Sequence, residues 1–491
     1  MDPERLLLTM VNLSDDVTDP QRIERRGEID DDNTDNEDLV RIVTMVDETL
    51  QRCNVLKVSG EGEEEDISGG IDSYTKYVLR YLRNSDKFIS FVSILLKSQA
   101  YHMANNDDNN KHSVNYIFEE GKVRTIIDLP RTTYGKPFVP TKIGVSRNID
   151  ASVVRQRQRR ILIPREDIIM RRGREEDQPL QKKEKAFWGY RQKEQKRPKS
   201  APPDIIIPNE LLQHPMNVSH QFPYVGIINR LTLSPNSKLD VTISSTDDDN
   251  DESLRSLLGL DIVSFDESII GEGKRLYSTF DEFLDVFEGS FTKWEWGRIR
   301  RMSSGREKLR EFYVRWAVKE ALTKALGVGM GLDFSDFETR HEGVDTGDNM
   351  DGSGDGLWKY IVDEYRRKKE TATDHDCSIY TSAVALRGFV IQPATSTSEV
   401  WSPTHSGDKP GERTIIWDFH FVPLSPPVTN RFNNDTSVTG QEFGGCACVC
   451  LGCREDKHGN GADQLPPPVS RCTVSIQKRS LDNLIAFHTG R

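Results

Sequence analysis

The chain has 491 residues, enough for two or more domains with a sizeable core, yet only 35% are hydrophobic and 29% charged, so an ordinary globular body is diluted by long polar insertions. Its net charge of -12 argues against whole-protein attraction to nucleic acid or an anionic membrane. No apolar run reaches membrane-span length, the first residues alternate charges without a leader-like apolar core, and seven cysteines do not make a secreted disulfide framework, so the expected compartment is the cytoplasm.

Residues 1–38 end in an acidic run from Asp30 to Asp38 and are read as a disordered acidic tail. Residues 39–56 mix Ile42, Val43, Met45 and Val46 with acids and fit either a strand or a helix. Two amphipathic helices are predicted at 71–82 and 88–103, with Asn84, Ser85 and Asp86 supplying capping oxygens for the second. That helix carries Lys97 in an otherwise apolar stretch, where a lone lysine usually snorkels into solvent. A strand at 123–129 leads into Arg131-Thr132-Thr133-Tyr134-Gly135-Lys136-Pro137. There the glycine lets backbone approach a phosphate, the proline fixes the exit, and Arg131 can bond bidentately, although a basic turn is usually only a basic turn.

A basic insertion at about 141–206 interleaves Arg155, Arg157, Arg159 and Lys182 with Phe187, Trp188 and Tyr190. It reads either as a solvated loop or as a single-stranded nucleic-acid contact. Asn217-Val218-Ser219-His220-Gln221 then gathers amide, hydroxyl and imidazole groups suited to a diphosphate, while an isolated histidine is more often a satisfied surface or core residue. A strand is predicted at 222–231, and another acidic loop runs from Asp247 to Glu252.

Gly259-Leu260-Asp261-Ile262-Val263 reads as a buried strand carrying one acid. A helix follows over 312–326, stopped by Gly327, in which Leu309, Phe312, Tyr313 and Trp316 form an aromatic stripe. The same stripe continues into Glu320 and then Lys324. These two are either an exposed pair worth roughly a few tenths of a kcal/mol, or a carboxylate for a hard cation beside an ammonium for phosphate oxygens. The loop from Asp345 to Gly356 partly mimics a calcium loop, but Val362 falls where a bidentate glutamate is needed, so calcium is rejected. Strands are predicted at 378–386, 414–424 and 472–476. Cys446, Cys448 and Cys450 alternate onto one strand face, and Cys450-x-x-Cys453 has zinc spacing without a second such pair.

The order of a Gly259-x-Asp261 strand and then Trp316-x-x-Lys319-Glu320-Ala321-x-x-Lys324 resembles the signature of 4'-phosphopantetheinyl transferases of the Sfp type, and within them the eukaryotic aminoadipate-semialdehyde dehydrogenase subgroup. Arg131 to Pro137 is similar to that family's coenzyme A loop, and Asn217 to His220 to its diphosphate turn, with Gln221 next as in the subgroup. The resemblance implies an α+β fold, a pseudo-dimer of two transferase-like halves, each a helix on a small antiparallel sheet, with an N-terminal half at 39–240 and a C-terminal half at 257–491. It implies transfer of the 4'-phosphopantetheinyl group of coenzyme A to a serine of an apo acyl or peptidyl carrier domain by a monomer.

On the same resemblance, Mg2+ is held by Asp261 and Glu320 with Gln221 or a water. Glu320, or a water it orients, is the general base, and Lys324 faces the diphosphate. Lys97, Arg131, Gly135, Lys136, Pro137, Asn217, Ser219 and His220 surround coenzyme A. Val263 departs from the bacterial pattern, which has a further carboxylate there; the eukaryotic subgroup is also apolar at that point. The competing expectations are a phosphohydrolase in which water replaces the carrier serine, and a degenerate transferase body that binds nucleic acid or a scaffold through the basic insertion.

Overall fold

The computed structural model describes residues 4–13, 34–53, 55–58, 64–66, 78, 80, 84–105, 122–129, 216–230, 257–267, 270–271, 277–327, 334–345, 356–371, 383–392, 413–426, 443–455 and 472–490. Helices and mainly antiparallel sheets make it an α+β fold.

The first sheet has four strands in the order β12 (Cys472–Arg479), β1 (Glu4–Asn12), β6 (Tyr224–Arg230) and β5 (Met216–Gln221). Only β1 with β12 is parallel. Leu6, Leu7, Leu8, Met10 and Val11 are all buried, as expected of a strand covered on both faces. Helix α1 (Thr34–Arg52) and helix α2 (Asn84–Asn105) share an apolar core with this sheet. A short three-stranded sheet, β3 (Glu64–Asp66), β2 (Val55–Val58) and β4 (Ile126–Asp128), lies beside α2. The C-terminal helix α7 (Leu481–Thr489) closes this core: Leu481 and Leu484 are buried in it, and His488 Nε2 lies 3.0 Å from the Leu95 carbonyl.

The second sheet has five antiparallel strands in the order β7 (Leu258–Ser264), β11 (Gly445–Glu455), β10 (Arg413–Leu424), β9 (Val384–Gln392) and β8 (Glu338–His341). Helix α5 (Gly305–Leu326) crosses it. Ser304 caps α5 in a reciprocal pair with Glu307, and Gly327 ends it in the left-handed region at φ 71°. Phe283 and Phe287 from α3 (Phe280–Asp285) and its following turn, together with Phe291 and Phe334, surround Phe312, Tyr313 and Trp316. Helices α4 (Lys293–Arg300) and α6 (Leu357–Thr371) complete the layer.

The two sheets share a third core, in which Leu6, Leu8 and Met10 meet Leu258, Leu260, Ile262, Ala447 and Val449. Edge strands β5 and β7 lie alongside one another there. In the C-terminal layer β7 and α5 approach one another closely. A Cβ on Gly259 would stand 1.9 Å from the Ala321 carbonyl oxygen and 2.7 Å from the Ala325 nitrogen, so helix backbone rests directly on the strand.

Four expectations are corrected or resolved. Part of the supposed acidic tail is β1, an inner strand, because its apolar run outweighs the acids that follow it. Residues 39–56, open between strand and helix, are mostly α1. Strand β12 and helix α7, which fall within the expected C-terminal half at 257–491, join the first sheet and its helices. Cys446, Cys448 and Cys450 are buried on one strand face in the core beneath α5, where burial pushes the Cys446 and Cys448 thiols well up. The predicted helix at 71–82, apart from residues 78 and 80, and the insertion at 141–206 lie outside the described residues. Among the described residues no helix is long and apolar enough to cross a membrane.

Gly259→Ala is expected to destabilise the fold by about 1–3 kcal/mol through overpacking, because its methyl meets backbone that cannot turn aside. A lowered urea midpoint with an unchanged slope would show it.

Candidate functional site

The site lies where the two sheets meet. Strand β7 contributes Asp261, which is buried. Helix α5 presents Glu320 and Lys324 one turn apart, and Lys324 Nζ is 2.5 Å from Asp261 Oδ1 and 4.0 Å from Glu320 Oε2. The side chains of Glu320 and Lys324 are 18% and 27% exposed, so the pair is not the solvated i,i+4 bridge of an outer helix face. Their convergence follows from the glycine contact. Gly259 and Asp261 are two residues apart on one strand face, and Ala321 and Ala325, which rest on Gly259, directly follow Glu320 and Lys324.

Strand β5 supplies the opposite wall. Ser219 Oγ donates to Asp261 Oδ1 at 2.9 Å and accepts from the Ile262 N–H at 3.2 Å and from Lys324 Nζ at 3.0 Å. Two residues on, Gln221 Oε1 accepts from the Ser264 N–H at 2.9 Å. Alternate side chains of β5 thus satisfy alternate N–H groups on the free edge of β7, whose other edge pairs with β11. Asn217, next in the same row, is buried.

His220 points the other way and is exposed. Burial of its surroundings, followed by the ammonium groups of Lys324 and Lys97, pushes its pKa down to about 4. Lys97, from α2, is half-buried, and its charge is felt at His220. Desolvation raises the Glu320 carboxyl; Lys324 opposes this and the charge of Asp261 adds to it.

Two acids therefore lie about one ammonium, and both hydrogen bonds to the Asp261 carboxylate end on Oδ1. Among the described residues no hydrogen bond reaches Oδ2. Hard oxygen ligands with residual negative charge are a donor set that fits a divalent cation such as Mg2+. Gln221 Oε1 has one of its two lone pairs engaged by Ser264. Among the described residues no group of three or more His, Cys, Asp or Glu gathers as a metal site.

Of the predicted site residues, the structure brings together Asp261, Glu320, Lys324 and Ser219, with Gln221 bonded to the same strand at Ser264 and with the charges of Lys324 and Lys97 felt at His220. Arg131, Gly135, Lys136 and Pro137 lie outside the described residues. Ser219 is buried with its hydroxyl turned to Asp261.

Sequence reasoning gave no role to Lys319. Its ammonium is fully buried, 2.9 Å from Glu295 Oε2, and donates to the Phe334 and Phe337 carbonyls. It anchors α5 to α4 and to the loop behind. The signal was available in the sequence as a second lysine in the Trp316-to-Lys324 motif, on a face distinct from that of Glu320 and Lys324.

Residues 257–379 match the family described as the 4'-phosphopantetheinyl transferase superfamily. Over 61 residues the chain is 39% identical to the L-aminoadipate-semialdehyde dehydrogenase-phosphopantetheinyl transferase of Xenopus laevis, covering 12% of this chain and 20% of that protein. It is 37% identical over 79 residues to a phosphopantetheinyl transferase of a Thraustochytrium species, covering 15% and 25%. The Rattus norvegicus L-aminoadipate-semialdehyde dehydrogenase-phosphopantetheinyl transferase is 30% identical over 112 residues, covering 23% and 35%. The matched stretch thus spans 20% to 35% of the length of these relatives. Asp261, Glu320 and Lys324 all lie inside the segment 257–379 that matches this family.

Proposed function

We propose that the protein transfers the 4'-phosphopantetheinyl group of coenzyme A to a serine of an apo acyl or peptidyl carrier domain, releasing adenosine 3',5'-bisphosphate, as a cytoplasmic monomer. The observation that carries this reading is the convergence of Asp261, Glu320 and Lys324, from a strand and a helix of the matched segment, with the Ser219 hydroxyl bonded to two of them. We further read the two sheets as the two halves of a pseudo-dimer. Each carries one long helix of 22 residues, α2 or α5, with β1 and β12 completing the first half from the chain ends.

The chemistry is attack by an alcohol on a phosphoanhydride. A bond forms between the carrier serine oxygen and phosphorus, the bridging P–O bond breaks, and the bisphosphate leaves with the electron pair. Asp261 and Glu320, with Gln221 or a water, would hold a divalent cation such as Mg2+, which when bound supplies charge neutralisation on the diphosphate. Lys324 lies within reach of the same oxygens and stabilises the charge that grows on the leaving phosphate. Glu320, or a water it orients, takes the serine proton; its desolvation makes it a stronger base than an exposed glutamate. His220, uncharged at neutral pH with a pKa of about 4, offers a ring N–H rather than a charge to phosphate, and Lys97 supplies the charge on that side.

Incubation with coenzyme A, Mg2+ and an apo acyl carrier protein is expected to add the mass of the phosphopantetheine arm to the carrier. Asp261→Ala and Glu320→Gln should each cut the rate by about a hundredfold or more, the scale of removing one preorganised charge-stabilising group. Full transfer by either variant sinks the assignment. Release of the bisphosphate without a carrier would instead indicate hydrolysis.

Glu320→Gln carries a second expectation. A carboxyl raised in the folded state binds more protons there than in the unfolded chain, so its penalty on stability is absent below the ordinary glutamate range and grows as pH rises through the raised value. Thermal melts without added metal should therefore show Glu320→Gln more stable than wild type at pH 7.5, with the gap closing towards pH 4.5.

A further inference from the structure

Ser219 stands at the centre of the seam between the sheets, and its hydrogen-bonding capacity can be counted. A serine hydroxyl has one donor and two acceptor lone pairs. The donor goes to Asp261 Oδ1 at 2.9 Å, and the lone pairs take the Ile262 N–H at 3.2 Å and Lys324 Nζ at 3.0 Å. Ser219 is only 3% exposed. It has neither a proton nor the access to offer a phosphate oxygen, whereas its neighbour His220 faces outward.

We propose that Ser219 is a positioning residue: its hydroxyl, anchored to the β7 backbone, orients the Asp261 carboxylate for a divalent cation and holds Lys324 beside it, without touching coenzyme A. This rests on the transferase reading given above. The anchor is geometric. The Ile262 N–H fixes the oxygen in place, and the hydroxyl proton then fixes the rotation of the Asp261 carboxylate through Oδ1. Lys324 bonds both Ser219 Oγ and Asp261 Oδ1, so one small side chain from the N-terminal sheet sets the relative positions of an acid and a base from the C-terminal layer. Residues that orient a metal ligand typically change metal affinity by about 10–100-fold when removed.

The test compares Ser219→Ala and Ser219→Thr with wild type in three measurements: Mn2+ affinity by electron paramagnetic resonance, coenzyme A affinity by calorimetry without metal, and the split between kcat and KM for coenzyme A. For Ser219→Ala the expected result is Mn2+ binding weakened about 10–100-fold, a lower kcat, and an unchanged coenzyme A affinity and KM. Ser219→Thr, which keeps the hydroxyl, should recover Mn2+ affinity. Weakened coenzyme A binding with Mn2+ affinity intact would overturn the proposal and return Ser219 to the phosphates.

Should Ser219→Ala not fold, the pair Ser219→Thr and Ser219→Val decides. The two have the same shape and differ by the hydroxyl, so equal Mn2+ affinity in both overturns the role. A wild-type protein that binds Mn2+ and coenzyme A but transfers nothing contradicts the transferase reading and leaves the Ser219 measurement intact.

Discussion

The seating of helix α5 on strand β7 at Gly259 is the constraint on which the rest depends. With any side chain at that position, the Ala321 carbonyl and Ala325 nitrogen would have to retreat, and Glu320 and Lys324 would retreat with them. The spacing of the motif is in this sense a docking rule. Strand residues 259 and 261 share a face, helix residues 321 and 325 share a stripe, and the residues just before each alanine are brought level with Asp261. A contact made by groups with almost no side chain thus sets the distance between three charged groups.

A helix held only by one smooth contact could still roll about its axis. The far side of α5 resists this with buried charges. Lys319 is clamped by Glu295 and two carbonyls, and Arg315 sits between Glu311 at 2.8 Å and Asp345 at 2.9 Å. Burying such pairs gains little net stability over well-packed apolar groups, but losing one partner costs about 3–5 kcal/mol, which penalises any rotation that breaks them. Both carbonyls bonded to Lys319 belong to the segment around Phe334, whose ring packs on Trp316 at 5.1 Å. The aromatic stripe and the ionic clamp therefore act on the same stretch of chain.

What the sequence disclosed followed from local rules. The periodicity of α5, its stop at Gly327 and the alternation of Cys446, Cys448 and Cys450 are properties of consecutive residues, and the structure bears them out. What it concealed was long-range. The parallel pairing of β1 with β12 joins residues more than four hundred and sixty apart, such as Leu6 and Val474, and nothing near either strand announces the partner. Composition misled as well, since averaging the first 38 residues let the acids hide the apolar run of β1. The candidate acids and Lys324 were legible because a single helix and a single strand carry them. The place of Ser219 was not, because it depends on which edge of β7 is left unpaired.

That unpaired edge connects the fold to the chemistry. An exposed strand edge is a hazard that proteins usually cover or pair, and the simplest cover here would have been a continuous ladder between β5 and β7. Instead the two strands belong to separate sheets and are joined through Ser219 and Gln221, side chain to backbone. A backbone ladder would have brought the strands to about 4.8 Å and left little room for polar groups between them. Bridging by side chains satisfies the same N–H groups, and the Ser219 hydroxyl that does so also meets the Asp261 carboxylate and the Lys324 ammonium. The departure from regular pairing falls at the site, as expected where a local rule gives way to function.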